Sequence, residues 1–275
     1  MAQAAGTTRR VRNMEAIQRR YGQTHRQDNW QKEPMLIILG LGLFAVYTTI
    51  SAFLGDYWPF EAGVTPDGGA TYLSPYFEPL FRVPGLPMWV SPAIWILWAP
   101  LSFRTTCYYY RRSYYRAFFR SPPGCAVAEP ASSYTGETNF PLSLQNLHRY
   151  AMYVAIVFPI FLFYGAFKSF WLGGHIGGTF GIGLGSIILT VNAALLTLYT
   201  IGCHSFRHFV AGGLNQFTAS PFRMVRRRLW EIFTIANEHH REWAWVSMIF
   251  VGVADLYVHL VANGVITDPN TWSQF

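Results

Sequence analysis

Charge is scarce in this chain. Only 13% of its 275 residues are Asp, Glu, Lys or Arg, about half of the roughly 25% usual in soluble globular domains. That shortage, beside a high apolar content, excludes a disordered chain and argues against an ordinary soluble enzyme. Cysteine is scarce too, and three residues do not make a disulfide framework. Internal repeats and paired broken apolar segments, the marks of many transporters, are missing. No apolar segment follows Arg9 and Arg10 before residue 35, so no cleaved leader is expected.

What remains is apolar: 51% hydrophobic residues, with 17% aromatic. Five runs stand out, at 35–53, 88–103, 151–167, 180–201 and 243–261. Each approaches the roughly 20 residues that a helix needs to cross a bilayer core. Backbone groups facing lipid must be paired within the chain, so such runs are helices. The second run is the shortest, and residues 105–110 extend it. The expected fold is an all-α integral membrane protein with a five-transmembrane-helix bundle. Its helices lie at about 35–53, 88–110, 148–167, 179–208 and 240–261, within a membrane domain of 35–262. A basic arm over 1–34 precedes it and an external tail over 263–275 follows it.

The net charge of +7 is distributed unevenly. Of the 21 basic residues, 19 fall in 1–34, 104–149 and 202–242, while 54–87 and 168–177 hold one each, Arg82 and Lys168. The positive-inside rule then predicts a cytoplasmic N-terminus and an external C-terminus. Topology accounts for the basic charge, so no nucleic-acid partner is expected. The polar inner segments are long; they either meet anionic lipid headgroups or dock a soluble partner. Residues 54–87, rich in Pro, Gly and aromatics, read as a cap on the outer side.

Cysteine and histidine gather at the inner ends of the helices. Cys107 closes the second, His148 opens the third, Cys203, His204 and His208 close the fourth, and His239 and His240 precede the fifth. Cys125 lies in the inner loop. His204 and His208, spaced i, i+4, share a helix face. Thiolate with neutral imidazole suits zinc or an iron–sulfur centre. Two of each is the ligand set of a Rieske-type 2Fe–2S centre and equally of a structural zinc site.

Several stretches carry a family resemblance. They are Thr106-Cys107-Tyr108-Tyr109-Tyr110-Arg111-Arg112, Pro122-Pro123-Gly124-Cys125-Ala126-Val127, Asn146-Leu147-His148-Arg149-Tyr150, and Gly202-Cys203-His204-Ser205-Phe206-Arg207-His208. The run from His240 through Trp243-Ala244-Trp245 to Ala254-Asp255-Leu256-Tyr257 joins them. Together they resemble the membrane-anchor subunit of actinobacterial succinate dehydrogenase, in the succinate dehydrogenase/fumarate reductase superfamily of respiratory complex II.

The resemblance implies a multi-pass anchor in a bacterial plasma membrane, with its soluble partners on the cytoplasmic side. A flavoprotein carrying FAD would oxidise succinate there. An iron–sulfur subunit, holding further clusters, would pass the electrons to this chain and on to menaquinone. It also implies a redox centre of the anchor's own, either a Rieske-type 2Fe–2S cluster or, as in better-known five-helix anchors, a pair of b haems. Candidate metal ligands are Cys107, Cys125, Cys203, His204, His208, His240 and His148. Dihaem ligation needs histidine pairs at two depths, and the outer half offers only His175 and His259, which favours the cluster.

A quinone headgroup needs hydrogen-bond donors beside an apolar slot. Arg149, Tyr150, Ser205, Trp243 and Trp245 lie at a suitable depth, although Trp and Tyr also populate interfaces for their amphipathic rings. Asp255, a carboxyl group inside the fifth helix, is a candidate for a proton path; a hydrogen bond to a tyrosine or to Asn192 would equally account for it. One rival is a membrane di-iron oxygenase of the desaturase type, suggested by His204-x-x-x-His208 and His239-His240. That site needs more histidine boxes than this chain has.

Overall fold

The computed structural model describes residues 21–54, 72–80, 84–85, 90–129, 140 and 142–272. Among them the secondary structure is helical, with isolated bridges at Trp171–Phe180 and Gly183–Asn270 and no strand. The chain divides into two units, one of residues 1–42 and 107–145 and the other of 43–106 and 146–275.

The first apolar run forms α1 (Lys32–Thr49), which continues as a π-helical turn over Ile50–Leu54. Leu36, Leu39, Leu43 and Val46 are exposed along it, as expected where the surrounding solvent is hydrocarbon rather than water. The second run differs from the single helix expected over 88–110. It is α2 (Ala93–Ile96), α3 (Trp98–Thr106) and α4 (Tyr108–Ser113). Pro100 has no N–H to offer the Ile96 carbonyl, which accounts for the first break. At the second, Cys107 is extended (φ −59°, ψ 129°). Thr105 and Thr106 hydroxyls bond back to the carbonyls of Leu101 and Ser102, competing with the helical ladder.

The third run is α5 (His148–Ala155) and α6 (Phe158–Lys168). It breaks where Pro159 leaves the Ala155 carbonyl without its helical donor. The fourth is α7 (Leu184–Ile201) and α8 (His204–Ala211), separated by Gly202 and an extended Cys203 (φ −66°, ψ 136°). A Cβ on Gly202 would sit 2.9 Å from the Ala236 carbonyl oxygen, so the break admits the backbone of α9 (Pro221–Glu238). Ser220 caps α9 through the Arg223 N–H, and Pro221 starts it. The fifth run is the long α10 (His240–Ala262). Among the described residues, four helical segments are long and apolar enough to cross a membrane: Lys32–Phe53, Ser143–Lys168, Leu184–Ile201 and His240–Ala262.

In the second unit α7 lies at the centre, packed against α6 and α10, while α3 packs on α5. Residues 263–272, after α10, fold back on the second unit. Trp272 is buried, and the Leu184 N–H donates to the Pro269 carbonyl at 3.0 Å. Asp268 accepts from Tyr72 at 2.6 Å, Tyr257 at 2.5 Å and the Gly185 N–H at 2.9 Å. Most of the cap expected over 54–87, and most of the arm over 1–34, lie outside the described residues.

The first unit is a stitched loop. Gly22 donates to the Ala128 carbonyl and Ala128 donates back to Gln23. The Thr24 hydroxyl donates to the Ala126 carbonyl, and Arg26 to that of Cys125. Arg120 and Ala126 hold left-handed backbone (φ 53° and 57°), which non-glycine residues adopt only where neighbours over-determine it.

Candidate functional site

The polar cluster of the second unit gathers where α10 begins. His148, at the first position of α5, places Nε2 3.0 Å from the Sγ of buried Cys203. Its Nδ1 lies 3.0 Å from the Thr106 hydroxyl oxygen. That hydroxyl donates its one hydrogen to the Ser102 carbonyl at 2.6 Å, so Nδ1 must carry the proton that Thr106 accepts. Nε2 therefore presents its lone pair to the sulfur. A metal-binding imidazole has this tautomer, with its other nitrogen fixed by an outer partner.

Aromatic rings hold the imidazoles in place. Phe103 stacks on His148, with centroids 4.8 Å apart, and meets Tyr199 edge-on at 5.5 Å. The other face of the cluster is His240, stacked on Tyr199 at 5.1 Å and 7°. Arg104 lies over the Tyr199 ring at 4.5 Å and donates to the Ala244 carbonyl and the Ser247 hydroxyl. Phe103, Arg104, Thr106 and Tyr199 were not among the sequence candidates. An arginine closing an apolar run was the one signal available.

The remaining candidates separate by burial. Cys107, which follows Thr106 directly in the chain, is buried, whereas Cys125 is exposed, with an Arg116 nitrogen 3.9 Å from its sulfur. His204 and His208 are exposed on α8, their rings 4.6 Å apart. Partial desolvation, then the charges of His208 and Arg207, holds His204 below the ordinary histidine range. The chain break at Cys203 divides this pair from the buried side: the thiol turns inward while the two imidazoles stay outside. Among the described residues no three His, Cys, Asp or Glu side chains converge as a ready metal site.

Of the quinone candidates, Arg149 and Tyr150 are exposed, and Ser205, Trp243 and Trp245 are half-buried. The Trp243 indole N–H is buried without an acceptor among the described residues. At the opposite end of α10, Asp255 is fully buried. It accepts from Tyr47 at 2.7 Å, Ser51 at 2.6 Å and Ser74, and His259 Nε2 lies 3.2 Å away. The tyrosine partner expected for Asp255 is thus Tyr47.

Apolar helices long enough to cross a membrane, with a buried thiol beside half-buried imidazoles in the second unit, define an α-helical integral membrane protein with a built polar cluster. The sequence matches the family of the actinobacterial succinate dehydrogenase subunit SdhC over residues 32–264, and the chain belongs to that family. It is similar to a chain of the Mycobacterium smegmatis Sdh1 complex in the apo form, with a TM-score of 0.76 and 40% identity, covering 89% of this chain and 92% of that one. No curated protein matches.

The protein is a membrane subunit of a succinate dehydrogenase, a multi-pass protein of the bacterial plasma membrane. The complex is an oxidoreductase whose succinate-oxidising site lies on another chain, and the partners of this one are its iron–sulfur and flavoprotein subunits. The di-iron oxygenase reading falls with this membership.

Proposed function

We propose that this chain takes electrons from the iron–sulfur subunit and passes them to menaquinone through a Rieske-type 2Fe–2S centre at the end where α10 begins. The start of α10 would face the cytoplasm and its C-terminal end the outside. The observation that carries this reading is the His148–Cys203 contact, an imidazole lone pair aimed at a thiol with its tautomer set by Thr106. His148, His240 and Cys203, all in the second unit, would be ligands. Two neutral imidazoles in place of two thiolates raise the potential of such a centre, which suits delivery of electrons to a quinone.

This chain's own residues supply orientation and polarity. Thr106 holds His148, Tyr199 holds His240, and Arg104 brings a fixed positive charge that favours the reduced state nearby. The unpaired Trp243 indole N–H is the best-supported donor for a quinone carbonyl, with Ser205 and Trp245 beside it and Arg149 and Tyr150 at the exposed rim. Burial supports the inner ligands over Cys125, His204 and His208. The haem alternative has less support, because His259 is engaged by Asp255 and Ser51 and His175 sits exposed in a glycine-rich loop.

The test is electron paramagnetic resonance of the dithionite-reduced complex, with variants assayed for quinone reduction. A Rieske-type signal that His148→Ala and His240→Ala abolish, together with quinone reduction but not with succinate oxidation by a soluble dye, supports the assignment. A haem absorption band without that signal, or unchanged quinone reduction in both variants, overturns it.

A further inference from the structure

The polar groups at the far end of α10 have no part in the electron path. Asp255 lies seven residues before the end of the helix and His259 three, so about 10 Å and 5 Å from it by helix rise. Both are buried, and the Ser51 hydroxyl touches each, at 2.6 Å from the carboxylate and 2.9 Å from Nε2. Ser74 and Tyr47 also reach the carboxylate. A lone carboxyl group inside a membrane bundle is costly to ionise, and three hydroxyl partners offset that cost. Asn192 is fully buried on α7, the helix packed against α10, and neither end of its amide has a hydrogen-bond partner among the described residues. A buried amide left so calls for water.

We propose that Asp255 and His259 form a proton relay linking the aqueous face beyond the end of α10 with the quinone at its other end, through water held at Asn192. The proposal rests on the quinone reading above. At rest the relay holds one proton, on the carboxyl group beside neutral imidazole. Release of that proton toward the quinone leaves carboxylate beside neutral imidazole, and the hydroxyls of Tyr47, Ser51 and Ser74 hold the resulting charge. A proton from the aqueous face, arriving through His259, restores the pair. Reduction of quinone to quinol takes two electrons, drawn from succinate, and two protons, so the pair turns over twice per quinol.

Among the described residues, ionisable groups around the pair include Tyr47 on α1, Tyr76 on the 72–80 segment, bonded to Thr48, and Arg104 of α3, whose charge reaches Tyr76. On α7 the only titratable side chain is Tyr199, at the other end.

The test uses the intact complex in proteoliposomes. Asp255→Asn keeps the shape and an acceptor oxygen but holds no transferable proton. Quinone reduction should fall by roughly a hundredfold, the range of general acid–base effects, and lose its dependence on the pH of the compartment facing the end of α10. Asp255→Glu should recover part of the rate. Redox-induced infrared difference spectra should show a protonated carboxyl band in the wild type that Asp255→Asn removes. Unchanged quinone turnover and pH profile in an assembled Asp255→Asn complex, or no carboxyl band in a wild type that reduces quinone, overturns the relay alone. A wild-type complex unable to reduce quinone overturns the reading beneath it as well.

Discussion

Thr106 makes the smallest contact with the largest expected effect. Its hydroxyl is the reason that the His148 lone pair faces Cys203, and no charge or ring marks it in the sequence. Thr106→Val keeps the volume and removes the acceptor, so Nδ1 loses its partner. Outer-partner losses of this kind cost roughly 10–100-fold in metal affinity or activity. The expected outcome is a weaker Rieske-type signal per complex with succinate oxidation by a soluble dye intact, measured by spin quantitation. Glu78 is a second residue-scale case. Its carboxyl group lies against Gly165, where a Cβ would meet it at 2.4 Å, and burial raises it to about 7, with Lys168 opposing. A carboxyl group raised in this way contributes stability that is complete below its unfolded value of 4.5 and is lost as pH climbs toward 7. Thermal unfolding should therefore show the wild type weakening across that window, and Glu78→Gln should flatten the dependence.

The helices themselves explain what the sequence revealed and what it hid. Apolar length located the runs, because spanning a bilayer imposes a minimum that few other structures meet. It did not reveal that three of them are broken, the second at Leu97 and Cys107, the third at Ile156–Val157 and the fourth at Gly202–Cys203. Each break is set by a local competitor: a proline lacking a donor, threonine hydroxyls bonding backwards, or a glycine admitting another backbone. The thiols stand out for the same reason. Cys107 and Cys203 sit at breaks rather than within helices. Gly202→Ala should test the close approach at the last of these breaks. Its methyl group would press on the Leu198 and Ala236 carbonyls, and overpacking of this kind costs about 1–3 kcal/mol, seen as a lower melting temperature of the solubilised complex.

Across the whole chain, residues far apart in sequence close the second unit around Asp268, which gathers Tyr72, Tyr257 and the Gly185 N–H. Pattern reading took 263–275 as a tail because nothing in its composition specifies what it docks on; the glycines of 181–185 leave the room that Trp272 and Tyr72 fill. Asp268→Ala should leave two buried donors unpaired, the Tyr72 hydroxyl and the Gly185 N–H, at about 1–3 kcal/mol each, and lower the yield of assembled complex on size exclusion. The residues clustered where α10 begins were legible as candidates by type. Which of them are buried was not, since burial on one side of α8 and exposure on the other depends on contacts with α5, α7 and α9.

The reciprocal bonds between 21–26 and 125–128 bear on how the protein can be handled. An affinity tag or fusion partner joined after residue 20 leaves Gly22, Thr24 and Arg26 to hold the loop. A cut at residue 27 would strip the carbonyls of Cys125, Ala126 and Ala128 of their donors and release two strained left-handed residues.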